Sequence, residues 1–125
     1  ENDLLITADT TVIWNGEVIN KPVDRKDAIY MLSKLSGSKH TVVTGVAITT
    51  LEKSAVFAVE TDVFFKTLTT GEIEHYIDTY EPYDKAGSYG IQEWFGYISV
   101  ERIEGCFFNV MGLPLQRLYE ELQKF

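Results

Sequence analysis

The sequence predicts an α/β fold: a mixed sheet with antiparallel hairpins and flanking helices. Three observations carry this. Two long β-branched runs, His40–Thr49 and Ala55–Phe65, flank the polar turn Glu52-Lys53-Ser54, as in an antiparallel hairpin. Asn15-Gly16 separates two short β-like segments, a strong two-residue hairpin signal. Three further stretches, near Asp24–Leu35, Thr70–Tyr80 and Pro114–Lys124, space their apolar residues as helices do.

Each element has its own local cause. Leu4–Ala8 reads as a short buried strand bounded by Asn2-Asp3, and Asp9 stands at its end. Val12-Ile13-Trp14 resumes β character, and Glu17-Val18-Ile19 is the return strand. Pro22 keeps Lys21 extended. Asp24 is an N-cap, and Asp27 places charge in the first turn, where the helix dipole favours it. Ala28, Ile29, Leu32 and Leu35 give this helix an apolar face, Met31 packs, and Gly37 ends it. Gly45 inside the His40–Thr49 strand predicts a bulge or a close backbone approach. Thr69 and Glu72 form a capping box for a helix with Ile73, Tyr76, Ile77 and Tyr80 on one stripe. Phe95–Val100 and Cys106-Phe107-Phe108 read as strands, the latter short. Pro114 opens a last helix with Leu115, Leu118, Tyr119 and Leu122 on its apolar stripe.

With 125 residues and no linker or repeat, the chain is expected to form one domain over 1–125. Its net charge of -8 argues against binding polymeric nucleic acid or an anionic membrane, both of which require basic surface. No apolar run approaches the ~20 residues of a membrane helix. Cys106 is the only cysteine, so no intrachain disulfide forms, and a reducing, cytoplasmic setting is the default. Cys106 has no basic neighbour in sequence and reads as packing. His40 and His75 lie at no metal-ligand spacing, and His40 reads as structural or hydrogen-bonding.

The candidate chemistry gathers in the stretch Glu81–Gln92, E-P-Y-D-K-A-G-S-Y-G-I-Q. It has little apolar periodicity, and it sets Gly87 and Gly90 beside Lys85. Glycine permits close ligand approach and a lysine ammonium suits phosphate; the same composition also makes a plain surface loop. Asp9 at a strand end suits a metal ligand, a base for water, or a turn cap. Lys21 suits phosphate or plain solvated surface.

Five segments, in order, carry a family resemblance. They are A-D-T at Ala8-Asp9-Thr10, N-G-E-V-I-N-K-P at Asn15–Pro22, L-S-G-x-x-H-x-V-x-T-G-V at Leu35–Val46, E-P-x-D-K-A-G-x-Y-G-I-Q at Glu81–Gln92, and N-V-x-G-L-P at Asn109–Pro114. Together they resemble the Maf (septum formation inhibitor) family. The resemblance implies a nucleoside triphosphate pyrophosphatase that cleaves between the α and β phosphates with a divalent metal, Mg or Mn. Thr10 and Gln92 resemble the dTTP/UTP-cleaving branch, where they would read the pyrimidine or sugar edge. Asp9 resembles the proton acceptor or a metal ligand. Lys21 and Lys85 are implied phosphate contacts. Asp84 is either a water-mediated metal ligand or a partner of Lys85. A homodimer is common in such families. Members begin with a strand and a Ser-x-Arg-Arg phosphate-binding segment, then a helical stretch with a further acidic residue and a lysine. This chain reads as the pattern without that N-terminal third, so the isolated piece is expected to be a weak or inactive enzyme. The rival reading is a protein that binds nucleotide without catalysis, or regulates cell division through protein contacts.

Overall fold

The structure, a computed structural model, describes residues 3–125. Glu1 and Asn2, the latter expected to bound the first strand, lie outside them. Two tight connections set the sheet in motion from the N-terminal side. Asn15 (φ 51°) and Gly16 (φ 79°) both adopt left-handed angles, the pair that a two-residue hairpin turn requires. They join β1 (Leu5–Trp14) to β2 (Glu17–Ile19). The Thr50–Lys53 turn joins β3 (Lys39–Thr49) to β4 (Ser54–Phe65). With β5 (Val100–Glu104) the strand order is β2-β1-β3-β4-β5, and every pair among the described residues is antiparallel.

Alternation along the strands sorts the residues onto two faces. One carries Thr10, Val12, Val42, Thr44, Val46, Phe57, Thr61 and Val63, and the core lies there. The helices α1 (Arg25–Leu35) and α2 (Thr70–Tyr80) cover one end of this face through Leu32, Leu35, Ile73 and Ile77. At the other end Leu118 of α5 (Leu115–Lys124) packs on Val46, Ile48 and Phe57. The opposite face registers Asp9, Gly45 and Ala58 in one row and Val56 with Ala47 in the next. Val56 there is 79% exposed.

The caps follow the local signals. The Asp24 carboxylate accepts from the backbone N–H of Asp27, and Thr69 and Glu72 form the reciprocal capping box. A bidentate pair, Arg25 to Asp78 at 2.7 and 3.1 Å, joins α1 to α2 at the surface.

Several expectations are corrected. Leu4–Ala8 and Val12–Trp14 are not two strands but parts of one, because β3 pairs with Leu5 through Ile13 without a break. Its first half is also not buried, with Leu5 61% exposed. Asp9 therefore sits mid-strand rather than at a strand end. Gly45 makes no bulge, since Asp9, Gly45 and Ala58 pair in regular register. Phe95–Val100 is not a strand: α3 (Trp94–Ser99) precedes β5. Phe95, Gly96 and Ser99 are the buried positions, a helical spacing, and burial overrides the aromatic preference for strands. Gly96 lies so close to Ile91 that an added Cβ would fall 1.9 Å from the Ile91 carbonyl oxygen. Cys106-Phe107-Phe108 is likewise no strand: Cys106 is the N-cap of α4 (Phe107–Met111). Finally, Tyr80 (41% exposed), Leu115 (48%) and Tyr119 (65%) leave the apolar stripes expected of α2 and α5.

Candidate active site

A cavity of about 310 Å³ opens between the middle of β1, the Glu81–Gln92 loop and the end of α4. Its volume lies at the lower end of the range for small-molecule sites. Asp9, Thr10, Lys21, Asp84, Lys85 and Gln92 all line it, so the structure brings every sequence-derived candidate to one place.

Different elements deliver them. Thr10 stands on the helix-covered face of β1. Asp9 registers opposite Gly45 on the other face, and lines the cavity from the edge of β1, where β2 pairs only with Val12–Trp14. Asp9 is exposed, so its carboxylate is open to water. Lys21 follows β2, with Pro22 buried behind it. The loop is drawn over β1 at Gly87. Its φ of 73° is left-handed, its N–H donates to Asn20 O at 3.2 Å, and an added Cβ would meet the Val12 methyls at 3.1 and 3.2 Å. That close approach carries Lys85 and Gln92 to the cavity wall. Lys85 Nζ lies 3.9 Å from Asp84, a loose pair with the Asp84 side chain 81% exposed.

Two buried devices support this wall, and neither was singled out from sequence. The first is Tyr76 of α2. Its hydroxyl donates to Glu93 Oε1 at 2.6 Å and accepts from the N–H of Gly90 at 3.2 Å, tying both flanks of Ile91-Gln92 to the core. Burial, then the hydrogen bond to Glu93, pushes the Tyr76 phenol above its ordinary range, so it stays a donor. The second is Asn109 of α4, fully buried. Its Nδ2, with two protons to share, lies within hydrogen-bond distance of Val42 O at 3.1 Å, Val59 O at 2.9 Å and Thr61 Oγ1 at 2.9 Å. This clamps α4 onto β3 and β4 and holds Val110, Met111 and Gly112 at the cavity. Asn109 opens one of the family-like segments, which was the available signal; Tyr76 read only as part of an apolar stripe.

His40 fits its expected structural role. It is buried, edge-on to Phe65, with Nε2 2.6 Å from the hydroxyl of Tyr89, which lines the cavity. Desolvation lowers its pKa to about 4, against an upward pull from Asp62, so the imidazole is neutral at pH 7. Met31 packs as expected and accepts from the Ser88 hydroxyl at 3.2 Å.

Among the described residues no cluster of three or more His, Cys, Asp or Glu forms a metal cage. A hard cation of the magnesium type does not need one. It takes one or two carboxylates and fills its remaining positions with water and substrate phosphate. Asp9 and Asp84 on one cavity fit that requirement. Among the described residues no helix is long and apolar enough to cross a membrane.

An antiparallel sheet with helices on one face presents two lysines and two aspartates at one cavity. The Maf-like protein family model matches residues 1–125, and the chain belongs to that family. A dTTP/UTP pyrophosphatase of Bacteroides fragilis is 57% identical over 122 residues, covering 98% of this chain and 63% of that protein. One from Porphyromonas gingivalis is 53% identical over 125 residues, covering 100% and 63%. One from Cytophaga hutchinsonii is 48% identical over 123 residues, covering 98% and 56%. The chain thus spans about three-fifths of the length of the curated relatives it matches.

Proposed function

We propose that this chain carries the nucleotide site of a nucleoside triphosphate pyrophosphatase that hydrolyses dTTP and UTP to the monophosphate and pyrophosphate. The observation that carries the reading is the convergence of Asp9, Thr10, Lys21, Lys85 and Gln92 on one cavity from separate segments. The relatives named dTTP/UTP pyrophosphatase support the substrate class.

In this reading Lys21 and Lys85 bind the phosphate chain, each as a compact charge with three donors. Thr10 and Gln92 face the base or sugar. Asp9 accepts a proton from water as the water oxygen bonds to the α phosphorus. The α-phosphorus–oxygen bond to the β phosphate breaks, and pyrophosphate leaves with the electron pair. Asp9, with Asp84 through water, would hold a magnesium or manganese ion, which supplies Lewis-acid stabilisation of phosphate charge when bound. The partners are then a pyrimidine nucleoside triphosphate and a divalent cation.

The test is product analysis with dTTP and UTP in the presence of magnesium or manganese, on this chain and on one that restores the family's N-terminal third, beside calorimetric binding. The expected result is binding, with pyrophosphate and monophosphate released one to one. Release of orthophosphate, or failure to bind either nucleotide, would overturn the reading.

A further inference from the structure

Gly90 lines the cavity between two side chains of opposite charge. A Cβ placed on it would meet Glu93 Oε1 at 3.1 Å and Lys85 Cε at 3.2 Å. The carboxylate of Glu93 and the stem of Lys85 therefore face each other across the space that one methyl group would fill. They nevertheless form no ion pair. Among the described residues, the carboxylate within 4 Å of Lys85 Nζ is that of Asp84, at 3.9 Å. Opposite charges this near attract, so Glu93 must be held back. Tyr76 holds it. The Tyr76 hydroxyl donates to Glu93 Oε1 at 2.6 Å, a charge-assisted bond of the stronger kind. The same hydroxyl accepts from the Gly90 N–H at 3.2 Å, and Tyr76 is fully buried. Fixed on both sides, it has its one proton committed to Glu93.

We infer that Tyr76 is a catch on Glu93: it keeps that carboxylate off Lys85, so that the Lys85 ammonium stays open to a phosphate. Asp84 differs in kind. Its side chain is 81% exposed and only loosely paired, so an incoming polyanion displaces it at little cost. Glu93 is half-buried, and once released it would answer its desolvation by pairing with the ammonium across Gly90. That pair would compete with phosphate for the same three donors. The inference rests on the reading of Lys85 as a phosphate contact and adds two positioning residues, Tyr76 and Glu93, that set its availability. A Tyr76 that only supported the loop would behave differently. Removing the Glu93 charge from a Tyr76→Phe protein would then bring no special gain in binding.

The experiment is NMR titration with inorganic pyrophosphate, a probe that carries no base and whose weak binding NMR can read. It compares the native chain, Tyr76→Phe, Glu93→Gln and the double variant. Tyr76→Phe should weaken pyrophosphate binding about fivefold, the upper end of what a part-exposed ion pair is worth. In that background Glu93→Gln should recover most of the loss, and it should gain less in the native background. No loss in a folded Tyr76→Phe chain, or a Glu93→Gln gain no larger there than in the native chain, would overturn the inference. A second readout uses no ligand. A crystal structure of Tyr76→Phe should show a Glu93 oxygen within about 4 Å of Lys85 Nζ, the ion-pair range. A carboxylate that keeps its native place without the hydroxyl would refute the catch. If the native chain bound no pyrophosphate, the reading of Lys85 as a phosphate contact would itself fail, an outcome distinct from variants that bind alike.

Discussion

Tyr76→Phe removes one oxygen that ties the cavity wall to the core. The ring contacts survive, since Tyr76 stacks on Phe95 at 4.4 Å and on Tyr80 at 5.3 Å, and phenylalanine keeps both. Two hydrogen bonds do not survive. The 2.6 Å bond to Glu93 is charge-assisted, and such bonds contribute about 1.5–3 kcal/mol. Glu93 is only half-buried, so water recovers part of that loss. The Gly90 N–H loses its acceptor, at about 1 kcal/mol or more. A net cost of roughly 2–3 kcal/mol follows, and for a chain of this size that lowers Tm by on the order of 10 °C. Because Gly90 and Glu93 flank Gln92, nucleotide affinity should fall about tenfold with it. The assay is thermal unfolding with calorimetry of dTTP binding. A double-mutant cycle with Glu93→Gln should give a coupling of at least about 1 kcal/mol. A Tm within about 2 °C of native, or no coupling, would refute the account of Tyr76 as the tie.

In the complete protein, Asp9→Asn should reduce dTTP or UTP turnover by at least ~100-fold while binding persists, because an amide keeps the shape but accepts no proton from water; near-native turnover would return Asp9 to a plain strand residue. Asn109→Leu should cost about 3 kcal/mol in chemical denaturation, since it strips the donor from three contacts in a buried setting; a loss under 1 kcal/mol would show that the sheet does not depend on the clamp. The His40 prediction concerns pH. Its pKa falls from 6.5 unfolded to about 4 folded, so between those values the unfolded chain binds more protons. The contribution is fully present above pH 6.5 and is lost as pH falls toward 4. It amounts to at most about 3 kcal/mol at 1.36 kcal/mol per pKa unit. Denaturation curves at pH 7 and 4.5 should show a steeper loss for the native chain than for His40→Gln, and parallel losses would exclude His40 as the cause.

What the sequence by itself determined is what depends on neighbours along the chain. The Asn15-Gly16 turn, the Asp24 cap and the Thr69–Glu72 box each close within a few residues, so residue identity and spacing suffice. The candidate residues Asp9, Thr10, Lys21, Lys85 and Gln92 were nominated from short ordered segments, and only the fold brings them to one cavity. Tertiary structure decided the rest. Leu5–Trp14 is one strand because β3 supplies partners along Leu5–Ile13, which Asp9 and the threonines beside it do not announce. Trp94–Ser99 is a helix because Phe95 and Ser99 are both buried and Gly96 meets the Ile91 carbonyl, although its aromatics read as strand. Tyr76 and Asn109 look like core and loop residues in sequence. Their hydrogen-bond partners lie 14 to 67 positions away, and a bond between distant residues has no local spacing to betray it.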